Sequence, residues 1–393
     1  MLSLREPLSL LALNVRSWRA RPVATSVAVV GFMIVVLVFA GIFSVESGYK
    51  ATTDATGAPN VALVMLPGAH SEIESSIPET DAGIIATAPG IVQDNHHPLV
   101  AAEYLDIVNI PKRSNGAPTD VAVRGAEPTM FDIQPQIKIV AGRRFKPGLN
   151  ESIVGRRAAQ EFKGLQLGDT VRWSRTPWKV VGVFSSNGDM HESEIWTGLH
   201  ALQNADGGTG HVAAVYAKLT SAAAFGAFKA ALEHNPQLHV VVYRESQFFA
   251  QQAAKLSQFI TSVGALIALL MGAGAVIGAV NIMYSTISAR APEIATLRAI
   301  GFHPGSTFTA VLTEGMLLGL LGGAIGVCVA YVLFNGHRAS TLNGYTQVVF
   351  HFSVSMPLLG ASLGFALAMG LIGGIFPAIR AARLPVAVAL RET

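Results

Sequence analysis

The side chains that could do chemistry are few, and they stand outside the apolar parts of the chain. Metal-capable residues form two groups, the pair His96 and His97 and a second group of Asp189, His191, Glu192 and Glu194. Neither group has the i,i+4 histidine pair or the cysteine and histidine spacing that makes a metal site specific. Because polar residues commonly occupy surface turns, we interpret both groups as solvated loop residues.

The sequence also lacks a nucleotide site. A P-loop needs Gly-x-x-x-x-Gly-Lys-Ser/Thr, whose backbone N–H groups and lysine surround the phosphates. The stretch from Gly164 to Gly168, followed by Asp169, has the wrong spacing and an acid where the lysine must be. No Gly-x-Ser-x-Gly nucleophile elbow occurs, which disfavours a hydrolase. We therefore expect no catalytic site and no cofactor on this chain.

Four apolar segments determine where everything else lies. A helix needs roughly 20 residues to cross a hydrocarbon core of about 30 Å, and four segments are long enough: 23–44, 259–287, 307–334 and 357–376. A buried core helix is the alternative, but the second and third segments exceed what a soluble core usually hides. A cleaved signal peptide is a further alternative for the first segment, which is too long for one. The pattern predicts a membrane α-helical protein with four transmembrane helices.

The arginines near the helix ends predict the orientation, because cytoplasmic loops carry an excess of Lys and Arg. The short loop 335–356 holds only Arg338, so it is predicted to be periplasmic, as is the long block 45–258. The block holds 18 basic and 21 acidic residues, and this near balance disfavours a nucleic-acid partner. Arginines cluster in three segments that we expect in the cytoplasm: 1–22, 288–306 and 377–393.

The block 45–258 is predicted to be a large α/β extracytoplasmic domain inserted between helices 1 and 2. Its two ends form one β-α-β subdomain, about 60–118 plus 212–243, and about 119–211 is a β-rich insertion with Gly, Pro and Asn turns. From Glu245 apolar residues recur at helical spacing, which predicts a stalk helix. The β-α-β units are predicted as strand Val61–Leu66, helix Ser71–Ile77 and a strand from Gly83 to Ala86, and as strand Val212–Lys218, helix Ser221–Glu233 capped by Ser221 and strand Leu238–Tyr243.

The loop after the second membrane segment contains a short helical pattern from Ala291 to Gly301. Pro292 suits the first helical position, Glu293 complements the helix dipole, and Gly301 can end the helix in the left-handed conformation. An isolated helix of two turns is unstable in water, so its apolar face needs a surface. Lipid headgroups or the chain's own N-terminal helix are alternatives to a partner protein. The apolar face, with Arg298 beside it, consists of Ile294, Leu297 and Ile300.

Polar and small residues inside the membrane segments predict close helix packing. Glu314 is the one carboxylate there, and although intramembrane charges are often functional, we favour a structural role for it. Asn281 is a second intramembrane polar residue, and the only cysteine, Cys328, also lies in an apolar segment, so the external domain folds without disulfides. Glycines that allow close helix approach argue for packing rather than a channel: Gly272, Gly274, Gly278, Gly315, Gly319, Gly322, Gly323 and Gly326.

Both ends of the chain suit a membrane surface. Leu8–Trp18 is amphipathic and fits a lateral helix at the interface, with a simple cytoplasmic extension as the alternative. The tail after Pro377 repeats Ala-Arg pairs, which fit anionic headgroups or a second contact with a partner. Headgroup binding is the commoner explanation for such a tail.

The chain resembles the MacB/FtsX-like permeases of ABC transporters, and the MacB type in particular, over nearly its whole length. The resemblance is most specific in Asn281-Ile-Met with the run Glu293 to Gly301, and in the third apolar segment from Glu314 to Gly323. The external motifs Val123-Arg-Gly and Leu167-Gly-Asp resemble the family's periplasmic core. A C-terminal motif completes the match, with Pro377, Arg380, Arg383, Pro385 and Arg391. MacB carries a fused N-terminal ATPase, whereas about 22 residues precede the first helix here.

This resemblance implies a permease subunit in the inner membrane, with both termini cytoplasmic, that pairs with a second copy or a closely related permease. A separate ABC ATPase, which binds ATP and Mg, would dock on the loop helix through Glu293, Ile294, Leu297, Arg298, Ile300 and Gly301. ATP-driven closure would reach the periplasmic domain as movement and drive efflux, with a periplasmic adaptor and an outer-membrane exit protein. A lipoprotein-releasing or FtsX-like signalling permease is the alternative, and a membrane-anchored enzyme is a third hypothesis. The large two-part external domain favours efflux.

Overall fold

The computed structural model describes residues 22–343 and 345–384, which form two compact units. The sheet unit comprises Gly48–Gln258 and Arg338–His351. The helix unit comprises the described chain up to Ser47, Phe259–His337 and the described chain from Phe352 on. The predicted helix Leu8–Trp18 and the motif residues Pro385 and Arg391 lie outside the described residues.

Ten α-helices and sixteen strands make up the described chain. The helices are α1 (Pro22–Asp54), α2 (Thr80–Ile85), α3 (Met130–Ile133), α4 (Arg156–Glu161), α5 (Leu199–Asp206), α6 (Phe225–Glu233), α7 (Glu245–Ala289), α8 (Ala291–Ala299), α9 (Pro304–Phe334) and α10 (Met356–Arg383). The strands are β1 (Val61–Met65), β2 (Ile77–Pro78), β3 (Gln93–Asp94), β4 (His97–Pro98), β5 (Val100–Pro111), β6 (Pro118–Ala126), β7 (Lys138–Gly142), β8 (Glu151–Gly155), β9 (Thr170–Trp173), β10 (Thr176–Ser185), β11 (Ile195–Gly198), β12 (His211–Val212), β13 (Ala214–Lys218), β14 (Val241–Arg244), β15 (Arg338–Asn343) and β16 (Thr346–His351).

Four of these helices, α1, α7, α9 and α10, are long and apolar enough to cross a membrane. Each is longer than its apolar segment. The first runs on to Asp54, the second begins at Glu245 where the stalk was predicted, and the third begins at Pro304. The last continues through Pro377 to Arg383, because a proline removes one helix hydrogen bond that surrounding helices can compensate.

One mixed sheet of ten strands forms the body of the sheet unit. The strand order is β14-β1-β13-β5-β6-β11-β8-β10-β7, and β9 also pairs with β10. The pairs β6–β11 and β8–β10 are parallel and the rest are antiparallel. The long β5 connects the two predicted parts, because it pairs with β13 on one side and with β6, from Glu103 to Pro111, on the other. The predicted subdomain and the predicted β insertion are therefore parts of one sheet.

Both faces of the sheet are covered, which explains the continuous apolar strands. All five residues of β1 are buried. Its odd positions pack in a cluster with Phe131 and Trp196, and its even positions pack in a second cluster with Phe228. A third cluster lies around the stacked rings of Trp173 and Trp178, whose centroids are 4.9 Å apart.

Some predicted elements of the sheet unit differ from the structure. The strand predicted at Gly83–Ala86 is the end of α2, because a short apolar run fits either element. The helix predicted at Ser71–Ile77 is only a 3₁₀ turn, Glu72–Glu74. Ser221 precedes a 3₁₀ turn and makes no side-chain cap, so the helix there begins at Phe225. Strands β5 and β8 were not predicted.

The predicted loop 335–356 contains the hairpin β15–β16, whose register pairs Arg338 with His351. The hairpin belongs to the sheet unit. Val348 and Val349 are buried in two of its apolar clusters. The Tyr345 hydroxyl donates to Glu74 at 2.9 Å, and the Lys112 ammonium donates to Ser340 at 2.7 Å.

Candidate coupling site

Helix α8 begins and ends with specific local interactions. Pro292 is its second residue rather than the predicted first. Glu293 forms an i,i+3 ion pair with Arg290 at 3.1 Å, and the exposure of Glu293 makes this pair weak. At the other end Gly301 has a φ of +114°, a conformation that favours glycine. The N–H of Phe302 then donates to the Leu297 carbonyl at 3.2 Å, which satisfies a free carbonyl of the last turn.

The apolar residues of α8 divide between the chain's own core and its surface. Ile294 and Ala295 are buried, and Leu297 is half-buried. Ile300, which directly follows the last residue of the helix, is 74% exposed. Ile294 packs with residues from the ends of α7, α9 and α10, namely Met283, Ile287, Val311, Ala378 and Ala381. Part of the predicted apolar face thus packs against the chain's own helices, and Ile300 is the part that stays exposed.

Two arginines of the predicted sites contact the chain itself. The Arg298 guanidinium donates to the carbonyl of Leu384, just after α10. The Arg380 guanidinium lies 5.1 Å from the ring centroid of Tyr284, within the distance of a cation–π contact. Pro377 is buried within α10, and Arg383 is exposed in its last turn.

The glycines of α9 lie against the backbones of two different helices. A Cβ added at Gly319 would lie 2.6 Å from the Ala366 carbonyl oxygen of α10. One added at Gly322 would lie 2.6 Å from the Val29 carbonyl oxygen of α1. Gly323 approaches the Cβ of Ala366, to 2.5 Å by the same measure. Because real side chains do not tolerate such distances, the contacts require glycine.

The remaining polar and small residues of the long apolar helices occupy different environments. Glu314 is buried on α9, beside Gly315, which approaches the backbone of α10. Asn281 is exposed on α7. Gly272 of the same helix contacts the side chains of Phe365 and Met369, whereas Gly274 and Gly278 face open space among the described residues.

A buried charge cluster in the sheet unit was missed by the sequence analysis. The Arg124 guanidinium of β6 is 2% exposed and contacts three carboxylates: Glu72 at 3.1 Å, Glu103 at 2.5 Å and Glu194 at 2.8 Å. The hydroxyl of Tyr216 donates to Glu72, and the indole N–H of Trp196 donates to Glu194 at 2.8 Å. Arg124 stands in an apolar strand run, Val121 to Ala126, and this was the signal that the arginine is buried with partners.

The interpretation of 189–194 as solvated loop residues was wrong. Asp189, His191 and Glu192 are buried, and Glu194 belongs to the charge cluster. The error arose because these residues cap and satisfy one another's backbone, a role that composition does not reveal. His96, by contrast, lies in an exposed turn with a left-handed φ of 67°. Within the described residues no group of three potential ligands is placed to hold a metal ion.

Burial and neighbouring charges shift the pKa values of the carboxylates in the cluster and of His191. Burial raises the pKa of Glu103 well above its ordinary value, against the opposing charge of Arg124. Burial would also raise the pKa of Glu194, but Arg124 and His191 hold it well below its ordinary value. For His191, burial favours the neutral form, yet Glu194 and Asp189 raise its pKa to about 9. Arg124 and His191 therefore compensate the carboxylates of Glu72 and Glu194, and burial favours the protonated form of Glu103.

Two protein-family models match this chain. The family model described as the MacB-like periplasmic core domain matches residues 25–235, and the FtsX-like permease C-terminal model matches residues 265–386. The chain belongs to the MacB/FtsX-like family of ABC transporter permeases. It is accordingly a membrane protein with a MacB-like periplasmic domain and four long apolar helices.

Individual relatives of this permease differ in how much of each chain the alignment covers. It is 24% identical over 416 residues to the uncharacterized ABC transporter permease YvrN of Bacillus subtilis, which spans 96% of this chain and 97% of that protein. It is 38% identical over 135 residues to the macrolide export ATP-binding/permease protein MacB of Nitrobacter winogradskyi, a stretch of 34% of this chain and 19% of that protein. A crystal structure of the extracellular domain of the transporter YknZ from Gram-positive bacteria aligns with 47% of this chain, with 20% identity and a TM-score of 0.35.

Proposed function

We propose that this permease couples ATP hydrolysis on a separate ABC ATPase chain to movement of its sheet unit, and that this movement drives efflux. ATP and Mg would bind to the ATPase. The permease would lie in the inner membrane as a homodimer, or with a closely related permease, and both termini would be cytoplasmic. A periplasmic adaptor and an outer-membrane exit protein would complete the path. The family membership and the arginine distribution support this assembly.

The observation that carries the proposal is the division of α8 into an anchored face and an exposed one. Ile294 and Ala295 fix the helix against the ends of three long helices. Ile300, with the exposed Thr296 and Glu293, forms the face that a partner can reach. A force applied to that face is passed to α7, α9 and α10 because the buried side is close-packed.

Substitution of Ile300 tests the docking. Ile300→Asp places a charge in an apolar contact and should weaken ATPase association by about 2 kcal/mol or more, as measured by co-purification and by the ATPase rate of the complex. The matched control is Val140→Asp, which changes an apolar side chain of β7 that is 53% exposed. Normal association and normal transport with Ile300→Asp would contradict the proposal.

The permease alone should not hydrolyse ATP. Its sequence lacks the backbone and lysine arrangement that surrounds phosphates. Co-expressed with its cognate ATPase, it should form a complex with two copies of each chain, measurable by native mass spectrometry. ATP turnover by the rigorously purified permease would overturn the assignment.

A further inference from the structure

The chain crosses between the two units four times: within α1, within α7 and at each end of the hairpin β15–β16, which connects α9 to α10. Three segments, α1, α7 and the hairpin, therefore join the sheet unit to the rest of the chain. Resting on the proposed function, we propose that residues 186–194, the junction segment, together with Arg157, hold these three segments together so that they move as one body. The contacts that hold these segments together all lie within the sheet unit.

Side chains of the junction segment form hydrogen bonds within the segment. One carboxylate oxygen of Glu192 accepts the N–H of Ser186 at 2.9 Å and that of Gly188 at 3.1 Å. Asp189 accepts the hydroxyl of Ser186 at 2.5 Å and the N–H of His191 at 3.0 Å. Because these carboxylates are buried and accept from local N–H groups and the Ser186 hydroxyl, their bonds stabilise this conformation of the segment.

The external end of α1 is bound to this segment twice. The Thr56 hydroxyl oxygen accepts the N–H of Met190 at 3.0 Å. Arg157 pairs with Glu192 at 3.5 Å and donates to the Thr52 hydroxyl at 3.2 Å. Both threonines are buried, so losing either bond leaves a polar group without water.

The hairpin is bound by the same groups. The Arg157 nitrogen that donates to the Thr52 hydroxyl, Nη1, also donates to the Val349 carbonyl at 2.9 Å. The Ser193 hydroxyl accepts the Val349 N–H at 2.9 Å. One arginine therefore bridges α1, the junction segment and β16.

The start of α7 is the third segment that the junction segment contacts. The His191 ring lies edge-on to Phe249 of α7, with centroids 5.9 Å apart. The first residue of α7, Glu245, accepts the N–H of Ala58 at 2.8 Å and the side-chain amide of Gln134 at 2.7 Å. Ala58 lies four residues after the end of α1, so this bond holds the loop that leaves α1 against the start of α7.

Amide hydrogen exchange tests the junction without any ATPase. In the full chain in nanodiscs, Thr56→Val with Ser193→Ala removes one contact to α1 and one to the hairpin. Exchange at Val348–Phe350 should rise at least about tenfold, since the Val349 N–H loses its buried acceptor and the hairpin loses its contact with Ser193. The matched control, Thr53→Val with Ser152→Ala, removes two buried hydroxyls that bond to their own helix and to Lys179. Unchanged hairpin exchange in the junction variant would overturn the proposal.

Dipolar EPR with the cognate ATPase tests the shared movement. Spin labels at Gln251 of α7 and Arg338 of β15, both exposed, would be placed in a Cys328→Ser background. With the junction intact, the distance distribution should be the same with and without nucleotide; in the junction variant it should broaden when nucleotide binds. A nucleotide-dependent shift in the intact junction would overturn the proposal. If the ATPase does not associate at all, the proposed function fails, and the exchange experiment still decides the junction.

Discussion

Single residues of the sheet unit show how much a buried charge depends on its partners. Arg124 is enclosed by three glutamates in a closed core. Removing one partner of such a group leaves uncompensated charge, which costs far more than the pair itself contributes. Arg143 and Glu151 form an ion pair at 2.5 Å as well, but the arginine is 48% exposed and water compensates its loss.

These two arginines give a paired prediction about stability. Arg124→Met should lower the free energy of unfolding by about 3–5 kcal/mol, because Glu72 and Glu194 remain buried without their cation. Arg143→Met should cost under about 1 kcal/mol. Tryptophan fluorescence during thermal unfolding reports on the sheet unit through Trp173, Trp178 and Trp196. Equal destabilisation by the two substitutions would contradict the ranking.

The buried His191 and Glu245 predict a loss of stability at alkaline pH. The pKa of His191 is raised to about 9, so its contribution is present below its ordinary value of 6.5 and is lost as pH rises through 9. Burial raises the pKa of Glu245 to about 7, so folding favours its protonated form and this contribution too is lost as pH rises from 4.5 through 7. The unfolding temperature should therefore fall between pH 6 and pH 9.

A variant separates the two groups. His191→Gln should reduce the part of the pH dependence between pH 7 and pH 9 while leaving the part below pH 7. Glu194 and Glu72 do not disturb this window, because their lowered pKa values place their own titration in acid, and the raised pKa of Glu103 adds a loss of stability in the same direction. An unfolding temperature that is flat, or that rises toward pH 9 in the unaltered chain, would contradict the assignment.

At the scale of the elements, α9 packs closely against two neighbouring helices. Its glycines lie against α10 on one side and against α1 on the other. Gly319→Ala should destabilise the helix unit by about 1–3 kcal/mol, because the new methyl group meets a backbone carbonyl that cannot rotate away. The control Gly278→Ala on α7 adds a methyl group to open space and should be neutral or slightly stabilising. Detergent unfolding of the two variants measures the difference.

At the scale of the whole molecule, the orientation is the main expectation to check. In a Cys328→Ser background, Asn115→Cys should react with a membrane-impermeant maleimide in intact spheroplasts. Thr296→Cys should react only after permeabilisation, since α8 is expected in the cytoplasm. Both positions are exposed, so reactivity reports on the compartment rather than on burial. Labelling of Thr296→Cys from outside would reverse the orientation.

Much of this architecture could be predicted, because long apolar helices and their caps are encoded locally. The stalk beginning at Glu245 and the left-handed Gly301 follow from periodicity and backbone sterics. The continuity of the sheet could not be predicted, since strand order depends on contacts such as β5 with β13 that are distant in sequence. The role of 189–194 was hidden for the same reason. In the sequence a buried carboxylate cannot be distinguished from a solvated one, and only the structure shows that Arg124 and Arg157 lie beside these residues.

The glycine contacts of α9 make the stiffness of the helix unit depend on direction. A turn of α9 by one residue, about 100° with a rise of about 1.5 Å, would bring Leu318 or Leu320 to positions where backbone carbonyls now accept only glycine. By contrast, Gly272 of α7 meets only the tips of Phe365 and Met369, which can change rotamer. Turning α9 against its neighbours is therefore harder than turning α7 at Gly272, where side chains alone must move. The packing of the helix unit thus resists rotation of α9 more than rotation of α7 at this contact.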